Sequence, residues 1–213
     1  KRYHRIVPKK KLKRILTLPS FENVINNPHH YKGEWHVRYF HNTNPITIEL
    51  GCGKGDYVLQ LAQDHPERNF LGFDLKGARL FMGATKAENL GLDNIGFVQM
   101  NIDQIADVFG ENEVSDIWIT FPDPYPRYAK ANKRLTSPRL LNCYRKFLSK
   151  DGVVQFKTDD ERLYKFTVAT INEQNCHILK NYVDLYAENP TEDKLLIKTT
   201  YEKRHLEAGK TIK

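Results

Sequence analysis

Cysteine is scarce in this sequence: three residues in 213, at positions 52, 143 and 176, with no metal-ligand spacing among them. That set excludes a disulfide framework and a cysteine-held zinc, and it suits a reducing compartment. A cytoplasmic protein without a metal is therefore expected. Long apolar runs are missing as well. No stretch approaches the ~18 residues of a membrane span, and no secretory leader is visible, so no membrane partner is expected. Internal repeats and low-complexity tracts are absent, which sets solenoids and fibrous folds aside. The sequence opens on Lys1 and not on Met, as a chain lacking its native start would.

What is present in excess is positive charge. Thirty-three Lys and Arg against 26 Asp and Glu give a net +7 and a pI near 9.2, a balance that favours a polyanionic partner. Much of the surplus sits at the front, in Lys1, Arg2, Arg5, Lys9, Lys10, Lys11, Lys13 and Arg14, with Pro8, Pro19 and Pro28 interrupting. Residues 1–34 read as a basic N-terminal arm that either tracks a phosphate backbone or merely solubilises the chain. Residues 35–213 are long enough for one α/β domain with an ample core.

That domain is organised around Ile46-Thr-Ile-Glu49-Leu-Gly51-Cys-Gly53-Lys-Gly55. A β-branched run ends in an acid, then a glycine turn, then Tyr57-Val-Leu-Gln-Leu-Ala with helical spacing of its apolar residues. This is strand, turn, helix, with the helix's free N–H groups aimed at the turn. The glycines at 51, 53 and 55 permit positive φ and leave room for a ligand. The spacing is G-x-G-x-G and not the G-x-G-x-x-G of dinucleotide sites. Glu49 would repel a pyrophosphate but suits a cationic ammonium or sulfonium. Asp74 stands about 20 residues further on, where an acid can accept both ribose hydroxyls. Together these favour S-adenosyl-L-methionine over NAD.

From Pro45 onward strands and helices alternate. Strands are expected at Thr47–Leu50, Phe70–Asp74, Ile95–Met100, Asp116–Thr120 and Val153–Thr158. Helices are expected at Asp56–Gln63, Gly77–Asn89, from Pro138 to about Leu148, and at Glu161–Asn172. Alternation of this kind predicts a doubly wound, mostly parallel sheet, a Rossmann-like α/β fold with ligands at the carboxyl ends of the strands. Ile178–Tyr186 and Lys194–Tyr201 read as two further strands, a C-terminal antiparallel hairpin closing the sheet.

A second informative stretch is Phe121-Pro-Asp123-Pro-Tyr125-Pro-Arg127. Three alternate prolines forbid strand or helix, so a rigid loop is expected just past the fourth strand. A planar base can stack on Phe121 or Tyr125. Asp123 can accept hydrogen bonds from a purine edge and align a ring nitrogen with a methyl donor. Downstream, Tyr128, Lys130, Lys133, Arg134 and Arg139 interleave cations with an aromatic, as a phosphate-contacting surface would. Asp159 and Asp160 follow the fifth strand at the same rim.

These motifs, in this order, resemble the bacterial tRNA (guanine-N7-)-methyltransferases. The resemblance rests on Ile48-Glu49-Leu-Gly-Cys-Gly, Gly72-Phe-Asp74, Asn101-Ile-Asp103, Phe121-Pro-Asp-Pro-Tyr-Pro, Lys133-Arg134-Leu, Lys157-Thr-Asp159 and Thr199-Thr-Tyr-Glu202. It implies the class I methyltransferase fold. It also implies S-adenosylmethionine contact at Glu49, Gly51, Gly53, Asp74, Asp103 and Asp123, with Asp123 also catalytic. Arg127, Asp159, Thr199, Thr200, Tyr201 and Glu202 would contact the substrate, a guanosine in the tRNA variable loop at position 46. The family usually carries Trp at Tyr125, Asn at Thr120 and Lys at Arg127, with a denser basic run behind. A monomer or homodimer is expected. Two competing readings are a class I methyltransferase acting on another base or amine, and a non-catalytic RNA-binding module.

Overall fold

The computed structural model describes residues 8–213. Lys1, Arg2 and Arg5 of the expected arm lie outside the described residues. In chain order the elements are α1 (Lys9–Thr17), β1 (Ile46–Leu50), α2 (Asp56–Asp64), β2 (Asn69–Asp74), α3 (Gly77–Asn89), β3 (Ile95–Gln99), β4 (Val114–Thr120), α4 (Pro138–Tyr144), β5 (Leu148–Lys157), α5 (Glu161–Glu173), α6 (Asp193–Leu196) and α7 (Thr200–Glu207). The five strands form one sheet in the order β3-β2-β1-β4-β5, all pairs parallel. The order reverses between β1 and β4, which opens a crevice at the carboxyl ends of those two strands.

Both faces of the sheet are covered, so the inner strands are apolar on both sides and show no polar alternation. All five residues of β1 are buried, as are all six of β2. Leu71, Phe73, Val98, Ile117 and Ile119 face one core with Trp35, Phe109, Leu140, Tyr144 and Phe147. Phe70, Ile95, Phe97 and Trp118 face the other with Tyr57, Val58, Leu61, Leu80 and Ala84 from α2 and α3. Phe97 is a shared wall in that second core. A Cβ added at Gly55, Gly72 or Gly83 would come within 2.9, 3.1 or 2.8 Å of its ring. Only glycine therefore lets the cofactor turn, β2 and α3 close around one phenyl.

The expected arm divides in the structure. Helix α1 buries none of its residues and lies against α3, with the Arg14 guanidinium 5.9 Å from the Phe81 ring. Leu18, Val24, Ile25 and Pro28 are buried. The chain at 23–25 runs parallel to β3 (Phe97 N to Asn23 O 2.8 Å, Ile25 N to Phe97 O 2.9 Å) and covers that sheet edge. Across the expected boundary at 34/35, Glu113 accepts from Gly33 N, Trp35 N and Gly110 N at 2.8, 2.9 and 2.7 Å.

The C-terminal hairpin does not form. Ile178–Tyr186 makes only turns and bends, and 194–201 contributes to α6 and α7. The β-branched residues around Thr199 suggested a strand, but Thr199-x-x-Glu202 is a capping box. The Thr199 hydroxyl accepts from Glu202 N at 3.0 Å while Glu202 Oε2 accepts from Thr199 N at 3.4 Å, which starts a helix. Helix α4 ends at Tyr144, short of Leu148, because β5 begins five residues before Val153; an irregular register at Val114/Asp116 absorbs the extra length. Among the described residues no helix is long and apolar enough to cross a membrane.

Candidate active site

The cofactor end of the crevice is built by the turn after β1. Gly51 N and Cys52 N both donate to Phe73 O, at 2.8 and 3.0 Å, so the turn is strapped to β2. Gly51, Gly53 and Gly55 have φ of 78°, 60° and 74°. The space above Gly53 is open: a Cβ there would meet nothing within 4 Å. Asp74, at the carboxyl end of the neighbouring strand, accepts from Gly53 N (2.9 Å) and Lys76 N (2.7 Å). Each oxygen of that carboxylate retains acceptor capacity for a hydroxyl.

Glu49 is fully buried beside this turn. It accepts from Thr120 Oγ1 at 2.5 Å and from Val58 N, in the first turn of α2, at 3.1 Å. Burial pushes its carboxyl up to about 7; the two hydrogen bonds oppose that shift, and the charges of Asp56 and Asp74 add to it. A buried acid with hydrogen-bond donors and no cation is suited to a cationic ligand, because such a ligand supplies the missing partner. Burial, with the charges of Glu49 and Asp74, likewise raises the Cys52 thiol.

The other end of the crevice is the proline loop. Phe121 and Tyr125 take positive φ, 48° and 42°, a costly conformation for aromatic residues. Asp123 is exposed between them. Burial first, then the charges of Asp123 and Asp103, raise the Tyr125 phenol. Burial, Asp159, and more weakly Asp123 and Asp160, raise that of Tyr201. Four acids, from the segments after β3, β4 and β5, thus lie near two tyrosines. Tyr201 packs on Phe121 (centroids 5.2 Å) and stacks on His205 (3.9 Å), and its hydroxyl donates to Asp159 at 3.4 Å. Asp159 also pairs with Lys210 at 2.7 Å, and His205 Nδ1 lies 2.9 Å from it outside hydrogen-bonding geometry. Against the effect of burial, the hydrogen bond from Lys210 and the charges of His205 and Lys210 hold the Asp159 carboxyl below its usual range.

Between the two ends lies a buried ion pair. Lys157 Nζ, at the end of β5, is 2.6 Å from Glu202 Oε1, both side chains nearly inaccessible. Lys157 also donates to Leu195 O and Ile197 O at 3.1 Å, and Tyr186 donates its hydroxyl to Glu202 at 2.7 Å. Nζ sits 5.5 Å from the Tyr57 ring and 5.9 Å from that of Phe121.

A family model described as "Putative methyltransferase" matches residues 43–213. The tRNA (guanine-N(7)-)-methyltransferase of Christiangramia forsetii is 41% identical, the match covering 96% of this chain and 95% of that one. Enzymes of the same name from Bacteroides fragilis and Brevibacillus brevis are 40% and 34% identical, covering 96% and 92% of this chain and 84% and 90% of theirs. The chain belongs to this methyltransferase family. Among solved structures, an antibiotic-related methyltransferase shares the fold with a TM-score of 0.61 at 17% identity, covering 83% of this chain and 88% of that one. The 16S rRNA methyltransferase KamB does so at 0.57 and 11%, covering 76% and 81%.

Within that family frame, Glu49, Gly51, Gly53 and Asp74 lie together at the β1 and β2 ends, while Asp103, Asp123, Asp159 and Tyr201 gather at the loop end. Asp103 is exposed and paired with Arg139 at 2.6 Å. Arg127 and Thr200 are exposed, and Thr200 N donates to Asp56 at 3.2 Å. Glu202 faces inward to Lys157, and Thr199 caps α7. The reading of Arg134 as a phosphate contact needs correction, because Arg134 is buried against the loop; Arg139 is exposed and pairs with Asp103 at the surface. Sequence reasoning gave no role to Lys157, Tyr57 or Tyr186. The only signal was Lys157 itself, a lysine closing an apolar strand that burial would otherwise forbid. Among the described residues no cluster of His, Cys, Asp or Glu could hold a metal.

Proposed function

We propose that this protein transfers a methyl group from S-adenosyl-L-methionine to N7 of guanosine in tRNA, at position 46 of the variable loop. The match over nearly the whole chain to enzymes named for that modification carries the reading. The geometry supports it through an open glycine turn, a ribose-suited acid at Asp74 and a buried Glu49 lacking a cation. Glu49, Gly51, Gly53, Asp74 and Asp103 would hold the donor, which when bound supplies an activated methyl on a sulfonium.

Guanine N7 carries an in-plane lone pair and no proton, so the chain needs no strong base. Its work is positioning for in-line displacement, which can supply several kcal/mol. Asp123 accepts from the base edge and stabilises the positive charge that develops on the ring. Phe121 and Tyr201 offer aromatic faces for the base. Arg127, Asp159, Thr199, Thr200 and Tyr201 line the substrate side, and Glu202 acts there by holding Thr199 and Tyr201 in place. The basic residues of 1–34 contribute phosphate contacts.

Incubating the protein with unmodified tRNA and methyl-labelled donor, then resolving nucleosides by mass spectrometry, tests this reading. Label in 7-methylguanosine is expected; label in any other nucleoside, or none, overturns it.

A further inference from the structure

The proline loop cannot hold itself. Pro122, Pro124 and Pro126 have no N–H, so from 121 to 126 only Phe121, Asp123 and Tyr125 can donate from the backbone. Phe121 N is used at the base of the loop, donating to Lys157 O at 2.8 Å. Two aromatic residues sit in left-handed conformations there, and such strain persists only where surrounding structure imposes it.

One side chain reaches the far end of the loop. Arg134 is 8% exposed although its neighbour Lys133 is exposed. Its Nε donates to Pro124 O at 3.0 Å and its Nη2 to Tyr125 O at 3.1 Å, the fork spanning two successive carbonyls. Its guanidinium lies 4.2 Å from the Phe166 ring centroid, clamped between α5 and the loop. The planar guanidinium can make both bonds while stacked, which a lysine ammonium cannot reproduce.

We propose that Arg134 is a positioning residue for methyl transfer. By bonding Pro124 O and Tyr125 O it fixes the strained loop that presents Asp123, and it makes no contact with tRNA. The inference rests on the functional reading above. It divides the adjacent pair Lys133-Arg134 into one residue for the nucleic acid and one for the loop.

The test compares Arg134→Lys with Lys133→Gln in single-turnover methylation at saturating donor and tRNA. It adds tRNA binding across a salt gradient, S-adenosylhomocysteine calorimetry, and backbone order parameters of Asp123 and Tyr125. Arg134→Lys should slow the single-turnover rate at least about tenfold, since an ångström-scale misplacement of a catalytic group can cost about a hundredfold. Its tRNA and S-adenosylhomocysteine affinities should stay within about twofold, because the side chain meets neither ligand. The order parameters at Asp123 and Tyr125 should fall. Lys133→Gln should instead weaken tRNA binding and reduce the salt slope by about one. An Arg134→Lys rate within about twofold of the parent, or a salt slope lowered as in Lys133→Gln, overturns the proposal. If Arg134→Lys does not fold, Phe166→Leu decides: slower transfer with unchanged affinities is expected, and an unchanged rate refutes it. A parent protein that leaves tRNA unmethylated overturns the functional reading and the catalytic consequence with it, while the order parameters still decide whether Arg134 holds the loop.

Discussion

At the scale of single residues, Glu49 and Asp123 are both acids but stand in different surroundings, one buried and one exposed. Glu49 binds its proton more tightly folded than unfolded, with its value raised from 4.5 to about 7 by burial. For such a group, the stability contributed is full below the unfolded value and is lost as pH rises toward the folded one. By pH 8 the buried charge costs on the order of 3 kcal/mol in the ligand-free protein. Glu49→Gln can turn its amide oxygen to Val58 N and its NH2 to Thr120 Oγ1. It should therefore melt several degrees above the parent at pH 8 and level with it near pH 5, as differential scanning calorimetry would show. The same substitution should weaken S-adenosylmethionine binding at pH 8 and flatten a pH dependence in which the parent's affinity falls below about pH 7. Asp123 is exposed. Asp123→Ala should leave the melting temperature unchanged while cutting turnover by at least about a hundredfold, as is typical of a positioned polar group. Turnover near the parent's would remove Asp123 from the reaction.

At the scale of elements, β5 grips the C-terminal segment through one buried lysine. Lys157 bonds Glu202, Leu195 O and Ile197 O. Tyr57 in α2 adds a 2.5 Å bond to Lys194 O. Removing one partner of a buried pair leaves the other charge stranded, so Lys157→Met should destabilise the fold by about 3–5 kcal/mol in urea unfolding. The double variant Lys157→Met, Glu202→Leu should recover much of that loss and yet stay slow in methylation, because Tyr201 is no longer held against Phe121. These elements also show what the sequence could and could not reveal. The strands and their helices were legible because both covered faces impose continuous apolar runs, and Glu49 and Asp74 were legible because they interrupt such runs at strand ends. The hairpin was misread because Ile197, Thr199 and Thr200 favour strands locally, whereas the capping box and the buried Lys157 pull the segment into helix. Arg134 was misread because periodicity cannot distinguish a cation that faces water from one that faces two carbonyls.

At the scale of the whole molecule, the basic front of the chain serves two ends that no composition count separates. Helix α1 buries nothing, but Leu18, Val24 and Ile25 belong to the packed body. Deleting residues 1–17 should leave urea stability almost unchanged and lower the salt slope of tRNA binding. Deleting 1–34 should cost several kcal/mol, at about 1.5–3 kcal/mol for each large apolar side chain withdrawn. Equal stability of the two truncated forms would show that residues 18–34 add nothing to the core. The Phe97 ring has a wider consequence. It is the common neighbour of Gly55, Gly72 and Gly83, but Gly55 also has φ of 74°, a Cβ at Gly72 would meet Cys52 Sγ at 2.9 Å and one at Gly83 would meet Lys54 O at 3.0 Å. An alanine at any of these sites is therefore a lesion that a smaller side chain at 97 relieves in part. A selection for restored growth of a Gly83→Ala strain should return partial second-site suppressors at codon 97, trimming the ring to leucine or valine, with the Lys54 O contact at 3.0 Å left in place. Those revertants would regain part of their cofactor affinity through a residue with no exposed surface of its own.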